Sequence, residues 1–453
     1  MTHIRHVKYI VDLLALHRAN PQRYPFLLQS VAHSDAPGGG QARFDILFAF
    51  PGEHIRLDAA DTSTDFLQQL DARWRAAAKI IEPSEVASGF PRLPFTGGWF
   101  LFLAYELAGQ IEPGLSLPMA QDGLPVAYAA RIPAAVIVDH AEQQTFLVAE
   151  SGHANLLDML NEDMGRISTV DTVSPNIVMA EAEASRYLKD VEIIKNYIVE
   201  GDVFQVNLAR TWRGLSSNAL PSADVYQRLC KNNPAPFAGL ALIDGAAIIS
   251  SSPERLVKVN KRRVETRPIA GTRPRSTQML GDHALKKELL AHPKERAEHV
   301  MLIDLERNDL GRVCVPGSVK VDELMALESY AHVHHIVSNV CGQLRDGVTP
   351  GEVIRAVFPG GTITGCPKVR CMEIIAELEG EGRGAYTGAM GYLNHNGDMD
   401  LNILIRTITQ AGQQLQLRAG GGIVADSDSQ KELDETRAKA RGMLLALIDN
   451  SGC

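Results

Sequence analysis

The sequence predicts an α+β fold built on antiparallel sheets. In GLALI-DG-AAIISSS, two apolar runs flank Asp244-Gly245, a dipeptide suited to the two left-handed positions of a tight hairpin turn. In GAMGYLNH-NG-DMDLNILIRTIT, Asn396-Gly397 repeats the signal. Helical stretches lie among these strands without the strand–helix–strand rhythm of a parallel sheet.

From the N-terminus, the apolar segment Tyr24–Ser30 (YPFLLQS) precedes a Gly-rich turn at Gly38–Gly40. Arg43–Phe50 and Ile132–His140 then read as strands. Asn155–Arg166 reads as a helix, and Thr169–Pro175 as a connector. Ala182–Glu200 carries Tyr187, Val191, Ile194 and Ile198 at helical spacing and stops at Gly201. Val203–Thr211 alternates as a strand, while Lys294–Asp309, Pro367–Leu378 and Ser429–Ile448 read as helices. Two sequence regions result, 1–175 and 181–448, joined as parts of one fold.

Bulk properties exclude several functions. A net charge of −9 with no Lys/Arg block argues against nucleic-acid binding. The longest apolar stretch, around GGWFLFLAYELAG, is too short to span a bilayer and contains Glu106. The six cysteines form no C-x-x-C pair, which argues against a zinc knuckle or dithiol centre and for reduced thiols. With no signal peptide apparent, a soluble cytoplasmic protein is expected.

Three patterns carry chemistry. Glu295/Glu298 and Glu432/Glu435 are E-x-x-E pairs on two predicted helices, so each pair shares one face. Two such faces brought together would make a carboxylate nest for a hard cation such as Mg²⁺; taken alone, each pair is more often the pattern of a solvated helix face. Gly-rich segments at Phe358–Lys368 and Arg418–Asp428 can turn backbone N–H groups onto an anion, or can simply be turns. Neither has nucleotide-loop spacing. Isolated polar residues complete the set: Arg406 in LNILIRTIT suits a carboxylate clamp, Glu254 a general acid, and His335 a substrate-orienting group. Each residue type also has commoner structural uses.

These segments resemble the chorismate-binding family, which includes the first components of anthranilate and aminodeoxychorismate synthases and the isochorismate and salicylate synthases. The resemblance rests on GDVFQVNLAR, SSPERL, RPIAGTRPR, AEHVMLIDLERNDLGRV, HHIVSNV, FPGGTITGCPKVRCMEII, RGAYTGAMGY, IRT, AGGGIVADSD and DETRAKA, in family order. It implies two large layered antiparallel sheets flanked by helices. It implies Mg²⁺ held directly by Glu298 and Glu435 and through water by Glu295 and Glu432. Glu254 is implied as the acid for the C4 hydroxyl, with His335 near that hydroxyl. Arg406, Tyr386 and the backbone of Gly421 and Gly422 are implied to bind the enolpyruvyl carboxylate, with Lys439 and Thr272 as further contacts.

Within the family the chain is most similar to aminodeoxychorismate synthase component I. Water-adding members carry Lys where this chain has Gln205, which implies ammonia as nucleophile. NPAPFAGL (Asn233–Leu240) resembles the aminodeoxychorismate branch, whereas Ala270 in PIAGT resembles anthranilate synthases and removes a lysine that some aminodeoxychorismate synthases use covalently. The alternative product is therefore anthranilate; a catalytically inactive homologue is disfavoured by the intact acidic set. With no G-x-C-x-G nucleophile elbow in the chain, the resemblance implies a separate glutamine amidotransferase subunit. YPFLLQS resembles the segment that binds tryptophan in anthranilate synthases, so bound tryptophan is a further expectation.

Overall fold

Two antiparallel sheets organise the chain. The structure is a computed structural model and describes residues 2–32, 43–61, 64–80, 92–167, 172–275, 289, 293–329 and 333–448; the expected turn at Gly38–Gly40 and part of the expected connector lie outside them. The first sheet has 12 strands, in the order His3–Val7, Gln144–Ala149, Ala134–Asp139, Phe44–Ala49, Phe26–Gln29, Phe237–Ile243, Ala246–Ser252, Thr407–Ala411, Gln414–Ile423, Gln205–Leu215, Gly365–Cys366. Met179–Glu181 also pairs with Gln205–Leu215. The second has 10 strands, ordered Ile269–Pro274, Val333–Gln343, Arg263–Thr266, Arg255–Asn260, Met399–Ile403, Ala389–Asn394, Gly98–Leu103, Ala127–Ile132, His54–Leu57, with Lys320–Ser329 beside Val333–Gln343.

The sheets pack face to face through an apolar layer. Phe26 of the first stacks on Phe100 of the second, ring centroids 4.0 Å apart. Helices cover the outer faces: Leu13–Ala19, Ser222–Asn232 and Ser429–Ala446 lie over the first sheet, Phe66–Ile80, Pro293–Gly311 and Pro350–Val357 over the second. Ala184–Val199 and Lys368–Glu379 cover the Gln205–Leu215 strand. Strands buried on both faces need apolar residues at every position, not alternate ones. Phe26 and Leu27 therefore enter different core layers.

N-terminal strands sit inside both sheets. Phe26–Gln29 pairs with Phe237–Ile243, and Gly98–Leu103 pairs with Ala389–Asn394. The Asp244-Gly245 turn forms as expected, with φ of 48° and 85°. Asn396-Gly397 sits in a longer connection between Asn394 and Met399, with φ positive only at Gly397.

Several sequence expectations need correction. Ile132–His140 is two strands, not one: Ile132 ends a strand of the second sheet, Ala134 begins one of the first, and Pro133, which has no N–H to donate, stands between. Gly420–Gly422, in a segment that reads as a possible turn, lie within the Gln414–Ile423 strand. Pro367 is the N-cap residue, and its helix starts at Lys368. Arg406 is not in a strand: the chain leaves the second sheet after Ile403 and enters the first at Thr407. Arg406 takes φ = 53° in that crossing.

Candidate active site

The site forms where two paired strands change sheets together. Ala246–Ser252 and Thr407–Ala411 are partners in the first sheet, and their continuations, Arg255–Asn260 and Met399–Ile403, are partners in the second. Glu254 lies in one crossing and Arg406 in the other. Ser250, Ser251 and Ser252, all fully buried, satisfy polar groups around this corner. The Ser252 hydroxyl donates to the Ile403 carbonyl (2.5 Å), and Ser251 to the Asn233 carbonyl (2.5 Å). The Ser251 N–H donates to the Arg406 carbonyl at 3.1 Å.

The departure of these strands exposes a backbone edge. Thr407–Ala411 pairs with Gln414–Ile423 only as far as Leu417. From Arg418 to Ile423 that strand is paired on its other side, where Leu208 and Asn207 face Gly421 and Gly422. The glycines matter for what crowds them. A Cβ on Gly422 would stand 2.4 Å from the Gln205 Nε2. A Cβ on Gly421 would stand 3.3 Å from a Glu432 oxygen and 3.8 Å from both a Glu435 oxygen and the Lys439 Nζ. Two of the E-x-x-E carboxylates and Lys439 thus converge above one bare backbone position. Lys439 Nζ also reaches Glu435 (2.7 Å) and the Gly420 carbonyl (2.9 Å).

The second sheet supplies the opposite wall. Gly271, at φ = 70°, leaves room for Glu295, whose oxygen would stand 2.5 Å from a Cβ there. His335 is buried and pairs in register with Thr272, and Ala270 pairs with Ile336. Glu298 lies on the Pro293–Gly311 helix, one turn beyond Glu295 and half-buried.

The field within the pocket is strongly perturbed. Burial pushes the Glu254 carboxyl up to about 7; the Thr362 hydroxyl, the Ile269 N–H and the Lys439 charge pull it only part of the way back. The Thr362 hydroxyl makes no well-formed hydrogen bond. Burial holds the His335 imidazole down at about 4, assisted by the Arg406 charge, so this ring is neutral near pH 7. Tyr386 is raised to about 12, mainly by burial, and stays a hydroxyl donor. Burial lowers the Arg406 pKa against the favourable charges of Tyr386 and Glu435. His335 and Tyr386 both sense the Arg406 charge, and Glu254 senses that of Lys439, the kind of coupling that singles these groups out as candidates.

Oxygen-only donors on two helices, above glycines that leave space, fit a hard cation such as Mg²⁺. Among the described residues no three His, Cys, Asp or Glu side chains form a metal-holding group by themselves. A cation here would take one or two carboxylates and complete its shell with water or substrate oxygen.

The amino-acid sequence matches the family model described as chorismate binding enzyme over residues 29–445. The chain belongs to the chorismate-binding enzyme family. It is 45% identical over 358 residues to an anthranilate synthase component I-like protein of Synechocystis sp., covering 78% of this chain and 73% of that one. It is 43% identical over 369 residues to aminodeoxychorismate synthase component 1 of Bacillus subtilis, covering 78% and 77%. The crystal structure of anthranilate synthase component I from Streptococcus pneumoniae superposes with a TM-score of 0.78 at 32% identity, covering 89% and 92%. The chorismate-binding fold, with its two antiparallel sheets, is therefore the fold of this chain. Among the described residues no helix is long and apolar enough to cross a membrane.

Other contributors carry weak sequence signals. Asn233 Oδ1 accepts from Arg406 at 3.1 Å. Arg383 and Arg418 both bind the buried carboxylate of Glu379, and Arg383 lies over the rings of Tyr105 and Tyr386 at 4.9 and 5.6 Å. Arg383 also donates to the carbonyls of Asn207 and Ile363 at 2.8 and 3.0 Å, linking the Gln205–Leu215 strand to the turn at Gly361–Ile363. Only the position of Arg383 beside Tyr386 in RGAYTG hinted at this. Gln29 and Ser30 of YPFLLQS line a different cavity of about 230 Å³, with Pro236, Phe237 and Met390.

Proposed function

We propose that this chain aminates chorismate at C4, giving 4-amino-4-deoxychorismate with ammonia supplied by a glutamine amidotransferase subunit. Two features support the reading: Glu254 is a buried carboxyl whose proton is held up to about 7, and Gln205, packed against Gly422, is an amide where activation of water would need a base. An amide cannot deprotonate water near neutral pH, whereas ammonia attacks with its own lone pair. Arg406 and the open backbone edge at Gly421 and Gly422 bind the enolpyruvyl carboxylate, with the Tyr386 hydroxyl as a further donor. Lys439 and Thr272 are additional substrate contacts. Glu298 and Glu435, with Glu295 and Glu432 behind a water, would hold Mg²⁺. When bound, the cation supplies charge that holds carboxylate and favours departure of oxygen.

In the reaction the ammonia lone pair forms the new C–N bond and the C4–O bond breaks. Glu254 gives its proton to the hydroxyl, which leaves as water. The aminated product releases one N–H proton, and Glu254 is reprotonated from buffer. Neutral His335 orients the hydroxyl without adding a charge.

Ala270 favours a second reading. A methyl group offers no lone pair, so a covalent route through this position is closed, and direct ammonia addition at C2 would lead toward anthranilate and pyruvate. Mass-spectrometric identification of products from chorismate, ammonium salt and Mg²⁺ separates the two. 4-Amino-4-deoxychorismate as the main product is expected; anthranilate with pyruvate as the dominant pair overturns the choice.

A further inference from the structure

Asn207 is a buried polar residue that this reading leaves unused. It lies two residues beyond Gln205 in the Gln205–Leu215 strand, so both side chains project from the same face. Gly422 pairs with Asn207 in register, and its missing side chain is the space that Gln205 fills. Asn207 is 8% exposed and Gln205 6%. Among the described residues, the Asn207 Oδ1 and the Gln205 Oε1 are both buried acceptors with no hydrogen-bond partner. Two orphaned acceptors on one stretch of strand are an expense that folded proteins rarely keep without a ligand to fill them.

The backbone of Asn207 is firmly held. Its N–H donates to the Thr364 carbonyl (2.9 Å), and its carbonyl accepts from Arg383 (2.8 Å). The backbone that carries this side chain is thus part of a well-bonded strand, not of a loose loop.

Resting on the amination reading, we propose that Asn207 and Gln205 together form the ammonia subsite, each amide oxygen accepting one N–H. The Gln205 amide lies over Gly422, the cross-strand partner of Asn207, and facing Cβ positions on paired strands are about 5 Å apart, so one small donor making two N–H···O contacts of about 3 Å reaches both amides. Ammonia offers three N–H donors and one lone pair. Donating two N–H bonds leaves the lone pair free for carbon, and the same bonds strengthen as nitrogen becomes positive in the transition state. Water held in the same way would still need a base, and neither amide is one. Asn207 is accordingly a specificity-determining residue for the nucleophile.

The test uses the full chain with ammonium salt, chorismate and Mg²⁺. Asn207→Leu keeps the branched outline of the side chain and removes the acceptor. Its KM for ammonia should rise roughly tenfold, the effect of one hydrogen bond, with the chorismate KM and melting temperature unchanged. Asn207→Asp, which keeps an acceptor, should restore the ammonia KM. An unchanged ammonia KM in Asn207→Leu, with aminated product still formed, overturns this inference alone. So does an equal loss in chorismate KM or melting temperature, or a failure of Asn207→Asp to recover. If the wild-type chain forms no aminated product, the amination reading falls and this inference falls with it.

Discussion

Replacing Glu254 with glutamine should stabilise the protein above neutral pH while removing its acid chemistry. Burial raises this carboxyl from 4.5 to about 7. An acid whose folded-state pKa lies above its unfolded value favours folding fully below 4.5 and loses that contribution as pH rises through 7. The difference of about 2.5 units corresponds to about 3 kcal/mol withheld from the ionised protein. Glutamine cannot ionise, and its carbonyl still accepts from the Ile269 N–H. At roughly 2.1 cal/mol/K per residue, unfolding 453 residues carries an entropy of about 1 kcal/mol/K, so the expected gain is about 3 °C. The assay is thermal unfolding of both proteins at pH 5 and pH 9, together with turnover at each pH. The melting temperatures should diverge only at the higher pH, and turnover should fall at least about a hundredfold. A stability difference independent of pH, or a Gln variant with wild-type turnover, would refute the reasoning.

Three further outcomes are expected. Glu298→Gln or Glu435→Gln should abolish turnover at low Mg²⁺ and leave the melting temperature unchanged; unaltered activity removes that residue from the metal set. Arg406→Gly should raise the chorismate KM about tenfold or more through loss of the charged donor, yet cost little stability because glycine tolerates the left-handed backbone; steady-state kinetics and calorimetry separate the two effects. Gln205→Lys should increase isochorismate formation from a low background, measured chromatographically, since lysine can serve as a base for water.

The sequence made the hairpin at Asp244-Gly245 and the main helices legible because turn chemistry and 3.6-residue periodicity are local. It also placed Glu254, His335, Gln205 and Arg406 together only through family resemblance. What local patterns could not reveal is that LNILIRTIT is two strands in two sheets: an apolar run buried on both faces looks continuous, and the break at Arg406 is a backbone turn without glycine or proline. Asn233 and Arg383 escaped for a related reason. Arg406 and Asn207, which they meet, come from segments far away in the chain, and Glu379, four residues before Arg383, is separated from it by the end of the helix at Gly380. The glycines at 420–422 looked like a loop because glycine is poor in strands, whereas here close approach of side chains from neighbouring segments requires it.

The placement of N-terminal strands inside both sheets has a consequence for biogenesis. Phe26–Gln29 leaves the ribosome long before Phe237–Ile243, the neighbour that completes its pairing. At 5–20 residues per second, some 200 intervening residues take on the order of 10–40 s to appear. Throughout that interval the nascent chain carries an apolar strand with one edge unfilled, an invitation to pair with another chain. The same gap would open in a fragment beginning near residue 181, which would expose the edges of both Phe237–Ile243 and Ala389–Asn394. Synthesis of this protein therefore calls for protection of the emerging N-terminal third, and separate expression of its two sequence regions should yield aggregates, not working halves.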